Sequence, residues 1–166
     1  VRNNMAVMSS LIGMQILNSE KDETKERLRE IDHRIMSMSI AYDNISQYND
    51  ISKIDVHNLF INLGERLIQD YPLVVDIDFE VNGENCPILP CQAVPLSVAV
   101  NEIITNSLKF AFVGKKSGKI RIDHSCDGER LNIIISDNGR GIESSVIDGE
   151  PDTLGFYIIK DIVCLK

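Results

Sequence analysis

The stretch Asn101-Glu102-Ile103-Ile104-Thr105-Asn106-Ser107-Leu108-Lys109 sets a carboxylate, an amide and an ammonium at spacings of four and three residues. On a helix those spacings bring Glu102, Asn106 and Lys109 onto one face. Such a face suits a Mg-bound polyphosphate. The Asn106 oxygen can ligate the cation, Lys109 can pair with phosphate, and Glu102 can act on a water or orient the metal shell. A solvated helix face uses the same residue types, so this pattern alone leaves both readings open.

Two later stretches add to it. Ser136-Asp137-Asn138-Gly139-Arg140-Gly141 follows the apolar run Ile133-Ile134-Ile135. A carboxylate at a strand end can accept a hydrogen bond from a nucleobase amine, and the glycines let backbone approach a ring or sugar. Asp-Asn-Gly is also ordinary turn chemistry. Asp152-Thr153-Leu154-Gly155-Phe156 enters a final helical pattern. A glycine there bares amide groups to phosphate oxygens, although Asp152 or Thr153 also serves as a plain N-cap.

The elements that must carry these residues fall into two parts. No proline occurs before Pro72, and Val1, Met5, Met8 and Ile12 step by four, three and four. After the polar break at 18–22, Leu28, Ile31, Ile35, Met38, Tyr42 and Ile45 repeat in the same way. This predicts an antiparallel helical hairpin over residues 1–50. Its seam is wider than one hairpin can cover, since Leu11, Met36 and Ile40 extend it, so dimerisation into a four-helix bundle is expected. A polar hinge is expected from Ser46 to Lys53, and residues 51–166 then read as mixed α/β. The spacing predicts a helix over 55–70 capped by Asp55, a strand over 74–81, and a loop bracketed by Pro90 and Pro95. A helix over 96–112 follows, then strands around 119–122 and 131–136, a glycine-bearing loop, and a helix over 154–165.

Composition limits the partners. A net charge of −8 argues against nucleic acid, whose phosphates need a basic footprint. No apolar run reaches the roughly 20 residues of a membrane-spanning helix. The chain opens on Val1 without the pattern of a signal peptide and reads as an interior piece of something longer. Cys86, Cys91, Cys126 and Cys164 form no C-x-x-C pair, so zinc is not expected. They read as the buried or incidental thiols of a reducing compartment, which points to the cytoplasm. His57 and His124 read as surface or half-buried positions without a partner group.

In this order, N-E-x-x-x-N-x-x-K, D-N-G-x-G and a lone-glycine L-G-F resemble the N, G1 and G2 boxes of the Bergerat (GHKL) ATP-binding fold. Val1-Arg2-Asn3-Asn4-Met5-Ala6-Val7-Met8-Ser9-Ser10-Leu11 is similar to the dimerisation helix that follows the phospho-acceptor in HisKA_2 sensor kinases. The resemblance spans nearly the whole chain. It implies a fold of α + α/β class, a helical hairpin followed by a Bergerat-fold α/β sandwich, and it implies ATP and Mg²⁺ as cofactors. Asn106 would be the Mg ligand, with Glu102 and Lys109 beside it, and Asp137 would bind the adenine amino group. Gly139, Gly141, Thr153, Leu154 and Gly155 would shape the nucleotide pocket and lid. Asn3 would lie four residues after the acceptor, where related kinases often use a polar side chain.

The implied activity is that of a two-component sensor histidine kinase: transfer of the γ-phosphoryl of ATP to a histidine on the dimerisation helix and onward to a response regulator receiver domain. A homodimer and an upstream sensor domain are implied as partners. The alternatives are a signalling or dimerisation module that has lost nucleotide binding, and a GHKL ATPase that hydrolyses ATP with Glu102 as base. Three departures from the family pattern matter. The acceptor should fall two residues before Val1, so autophosphorylation of this chain is not expected. Phe110 also stands where the family often has a histidine. Glu30-Ile31-Asp32-His33-Arg34-Ile35 copies the acceptor box only superficially, and His33 is expected as a solvated residue on the outer side of the hairpin. The chain also ends before the glycine-rich turn and closing strands that the family pattern leads one to expect.

Overall fold

The computed structural model describes residues 2–47, 53–71, 75–128 and 130–141, with side chains over 3–42 in the first stretch. Thr153, Leu154, Gly155, Cys164, the Ile45 side chain and the middle of the expected hinge lie outside the described residues.

Two helices come first, α1 (Arg2–Asn18) and α2 (Asp22–Gln47). The polar break separates them as the sequence predicts. Asp22 and Glu23 place negative charge in the first turn of α2, where the helix dipole favours it. The helices pack together, and the Ser9 hydroxyl donates to the Asp32 carboxylate between them. Apolar residues run around much of α1, so one interface cannot cover them. Val7, Met8, Leu11, Met14 and Leu17 stay between 52% and 83% exposed.

The remainder is mixed α/β. It runs β1 (Ile54–Asp55), α3 (Val56–Asp70), β2 (Asp76–Asn82), β3 (Pro87–Ile88), α4 (Pro90–Asn106), a π-helical turn (Ser107–Ala111), β4 (Ser117–Cys126) and β5 (Leu131–Asp137). The main sheet has the order β2-β4-β5, with β2 parallel to β4 and β4 antiparallel to β5; β1 and β3 form a separate short ladder. Asp55 caps α3 as expected, accepting from the His57 amide at 3.0 Å and the Asn58 side chain at 2.7 Å. Alternation turns Ile120, Ile122 and His124 of β4 inward. Ile120 and Ile122 join Phe60, Leu63 and Leu67 of α3, Val100 and Ile104 of α4 and Leu108 of the π turn in one core.

Three expectations fail, each for a local reason. Pro90 and Pro95 do not bracket a loop but lie within α4. Proline suits the first helical position, and Pro95 forfeits a bond only to the carbonyl of Cys91, which is exposed in the first turn. The start is hidden in sequence because Leu89 is no capping residue. Instead Gln92 reaches back, its side-chain oxygen accepting from the Leu89 amide at 2.9 Å.

The histidines also depart from expectation. His57 and His124 partner each other, Nδ1 to Nε2 at 3.0 Å, and the His124 and Phe60 rings meet at a steep angle with centroids 5.8 Å apart. The inward face of β4 buries His124, and the first turn of α3 supplies the group that answers it. Gly83 makes room: in the left-handed region, its absent Cβ would lie 2.3 Å from the His124 carbonyl oxygen.

The cysteines are the third failure. Cys86 and Cys126 are joined in a disulfide with Cα atoms 5.9 Å apart, instead of standing as separate thiols. Parallel pairing explains this. Asn82 lies opposite Asp123, so the chain leaving β2 and the chain leaving β4 emerge side by side.

Burial pushes the His124 imidazole below its usual value and the neighbouring His57 adds to this, while Asp55 and Asp123 oppose it. Its Nδ1 is buried without a partner among the described residues, so a proton there would be unsolvated. The unfolded chain therefore takes up this proton first. The stability contributed is full above a pH of about 6.5 and is lost as pH falls below it, with a slope of up to about 1.4 kcal/mol per pH unit. Urea melts between pH 7.5 and 5.5 should show stability falling with acidification, and the fall should shrink in His124→Gln. An unchanged slope would contradict this account.

Candidate functional site

The face expected on α4 forms, and it meets α2 instead of solvent. Glu102 is buried, and Arg34 grips both of its oxygens, Nε on Oε1 and Nη2 on Oε2 at 3.0 Å. The Asn101 amide adds a contact to Oε1 at 3.5 Å. That carboxylate raises the Arg34 guanidinium above its ordinary value, first through the hydrogen bond. Two turns along, the Lys109 ammonium, with a side chain only 12% exposed, pairs with Glu30 and lies 3.8 Å from Glu26. Glu30 and Arg34 stand four apart on α2, matching the outward face of α4 charge for charge.

Asn106 ends α4 and is half-buried. Immediately after it the helix widens into the π turn, a feature common at functional sites. The turn directs the Ser107 hydroxyl onto Asp137, donating to Oδ2 at 2.8 Å. Asp137 ends β5 opposite Ile120, so alternation faces it toward the core side of the sheet. Its other oxygen, Oδ1, accepts from the Gly139 amide at 2.8 Å. The carboxylate stays exposed and keeps lone pairs for a further donor.

The loop after β5 is pinned on both sides. The Lys119 amide donates to Asn138 Oδ1 at 2.8 Å, and the Arg140 amide donates to the Ala111 carbonyl at 3.0 Å. Gly139 sits so close to the π turn that a Cβ would lie 2.3 Å from Ala111 Cβ and 2.7 Å from the Ala111 carbonyl oxygen. Gly141 adopts a φ of 76°, which glycine allows without strain.

Two of the three stretches singled out in the sequence thus converge: the end of α4 and the Asp-Asn-Gly turn meet through Ser107 and Asp137. Thr153, Leu154 and Gly155 lie outside the described residues. Asn3 is exposed on α1. His33 is not the solvated residue expected. It does lie on the outer side of the hairpin, but that side is docked. His33 is half-buried, with its ring 6.1 Å from Tyr71 in an edge arrangement, and burial lowers its pKa against the pull of Asp32 and Asp70. Sequence reasoning missed Ser107, Arg34 and Glu30. Ser107 had a local signal, adjacency to Asn106; the α2 residues had none, since their partners lie 68 and 79 positions away.

Known proteins carry the same pattern. A family model described as "Histidine kinase" (HisKA_2) matches residues 1–71, and one described as "Histidine kinase-, DNA gyrase B-, and HSP90-like ATPase" matches residues 91–164. The chain belongs to the histidine kinase family. A sensor histidine kinase PdtaS of Mycolicibacterium smegmatis is 24% identical over 171 residues, covering 98% of this chain and 33% of the relative. A blue-light-activated histidine kinase 2 of Erythrobacter litoralis is 24% identical over 170 residues, covering 98% of this chain and 48% of its own. This chain therefore spans about a third to a half of these relatives. The solved histidine kinase domain of the Erythrobacter litoralis EL346 blue-light-activated kinase superposes with a TM-score of 0.66 at 16% identity, over 97% of this chain and 83% of that one. The fold is the expected one: a helical N-terminal region followed by a Bergerat-type mixed α/β ATPase domain.

In this chain the buried Arg34–Glu102 pair ties the two parts together. Arg34→Ala leaves the Glu102 carboxylate buried and unpaired and should cost about 2–3 kcal/mol of stability in denaturant melts. Arg27→Ala, which breaks the exposed Arg27–Glu23 pair, should cost about 0.5 kcal/mol or less. Equal losses would show that the interhelical pair contributes nothing special.

Proposed function

We propose that this chain is the dimerisation and ATP-binding core of a two-component sensor histidine kinase, with residues 1–50 as the dimerisation hairpin and residues 51–166 as the catalytic domain. The observation that supports this best is the Asp137 carboxylate, exposed yet oriented on both oxygens by Ser107 and Gly139. An acceptor held this way recognises an exocyclic amine such as that of adenine. Gly139 has no room for a Cβ because the Ala111 backbone and the Asp137 carboxylate pack against it, which keeps the turn close enough for its amide to orient Asp137.

Mg-ATP, when bound, supplies the γ-phosphoryl group that is transferred. Asn106 offers the amide oxygen for the cation. Substrate phosphate oxygens and water would complete the shell, as is usual for Mg²⁺. Lys109 can neutralise phosphate charge once it leaves Glu30, and Gly141, Thr153, Leu154 and Gly155 are assigned to the pocket wall and lid. Catalysis of this kind rests on positioning and charge neutralisation. Glu102, with both oxygens on Arg34, is poorly set to activate a water, which favours transfer over hydrolysis.

The exposed apolar residues of α1 support homodimerisation through the hairpin, where a second copy would cover them. Asn3, exposed on the same helix, is assigned to phosphotransfer chemistry. The downstream partner is a response regulator receiver domain, the upstream one a sensor domain, and the setting is the cytoplasm. No helix among the described residues is long and apolar enough to cross a membrane. His33, half-buried against Tyr71, is not assigned as acceptor; in the family pattern the acceptor aligns just ahead of Val1.

Titration with a fluorescent ATP analogue in Mg²⁺ tests the assignment. Wild-type chain should bind, and Asp137→Asn should weaken binding at least about tenfold, about 1.4 kcal/mol. His33→Ala should leave affinity unchanged. Equal affinity in the Asp137→Asn chain would refute the nucleotide assignment.

A further inference from the structure

A concave site lies apart from the Asp137 corner. A cavity of about 440 Å³ opens between the first turn of α4 and the hairpin joining β4 to β5, floored by Ile88, Leu96 and Leu131. Two sulfur-bearing residues line it, Cys91 from α4 and Cys126 from the end of β4. Cys126 is already bonded to Cys86, whereas Cys91 is a free, exposed thiol.

We propose that Cys91 and the Cys86–Cys126 disulfide form a thiol–disulfide exchange site opening on this cavity. Accessibility determines the direction of attack. Cys86 is 1% exposed and Cys126 is solvent-exposed, so a nucleophile in the cavity reaches the Cys126 sulfur. Cys91 gives its proton to solvent, and the resulting thiolate attacks Cys126 Sγ. The Cys91–Cys126 bond forms, the Cys86–Cys126 bond breaks, and Cys86 leaves as a thiolate that takes a proton from solvent. One disulfide and one thiol stand on each side, so no oxidant or reductant is consumed, and attack by Cys86 restores the first state.

The exchange moves a clasp. In one state the end of β4 is tied to the segment ahead of β3, where the Cys86 carbonyl also accepts from the Val56 amide at 3.1 Å and so holds the start of α3. In the other it is tied to the first turn of α4. The exchange is independent of the nucleotide reading, because neither Asp137 nor Asn106 takes part.

The test uses the chain with Cys164→Ser, equilibrated in reduced and oxidised glutathione, quenched with N-ethylmaleimide and mapped by non-reducing peptide mass spectrometry. Native protein should yield both Cys86–Cys126 and Cys91–Cys126 cross-links. Cys91→Ser should lose the second and keep the first. In guanidinium both should give way to the short Cys86–Cys91 loop, which shows that the fold selects the pairing and does not depend on any variant folding. Recovery of Cys91 fully alkylated beside an intact Cys86–Cys126 bond would overturn the proposal. So would absence of any cross-link to Cys126, or glutathione adducts on Cys91 alone.

Discussion

Parallel pairing of β2 with β4 is the constraint on which the rest depends. Two parallel neighbours cannot be joined by a tight turn, so residues 83–116 must cross from one end of the sheet to the other. That crossover contains α4, about 26 Å long at 1.5 Å per residue, and its far end is thereby delivered beside the start of β4. Because β5 returns antiparallel, Asp137 arrives at the same place, opposite Ile120. The meeting of Ser107 with Asp137 is a consequence of strand order. The same pairing aligns the far ends of β2 and β4, which brings Cys86 to Cys126 and Gly83 to His124. One strand of ten residues thus carries a polar acceptor corner at one end and a cluster of sulfur and imidazole at the other.

The contact between the helical hairpin and the α/β part is chemical as much as geometric. Its centre is two ion pairs, Arg34 with Glu102, largely shielded from water, and Lys109 with the more exposed Glu30. Burying charges costs solvation that only close, multiply bonded geometry offsets, so such pairs specify one docking arrangement more than they add net stability. The residues that could handle phosphate charge are, in this arrangement, satisfied by α2. Separation of the two parts would leave Glu102 and Lys109 needing new partners.

Buried polar groups elsewhere follow the same rule with different partners. His124 faces the core because β4 alternates, and it is tolerated because His57 stands 3.0 Å away and Gly83 leaves space. Asp137 is oriented by one hydroxyl and one amide, each an inexpensive neutral donor, and so stays available to a ligand. A carboxylate with both oxygens on Arg34 is fully engaged, whereas one held by Ser107 and a backbone amide keeps lone pairs free.

Much of this was legible in the residues. Helical periodicity located α1, α2 and α3 with their polar break, Asp55 announced its own cap, and β-type alternation located the three strands of the main sheet. These signals are local: a cap needs three residues, a strand needs period two, and a helix needs a repeating stripe. The box residues were also visible, since Glu102, Asn106, Lys109, Asp137 and the glycines recur at family spacing, and the family models match both parts. The tertiary structure alone decided the remainder, because its causes lie far apart in the chain. Gln92 starts α4 from inside the helix, and the π turn carries the Ser107 that meets Asp137. Arg34 finds Glu102 across 68 positions, and Cys86 finds Cys126 across 40. No periodicity encodes such partners; strand order and helix docking choose them, and they then determine which polar groups are satisfied and which remain open for chemistry.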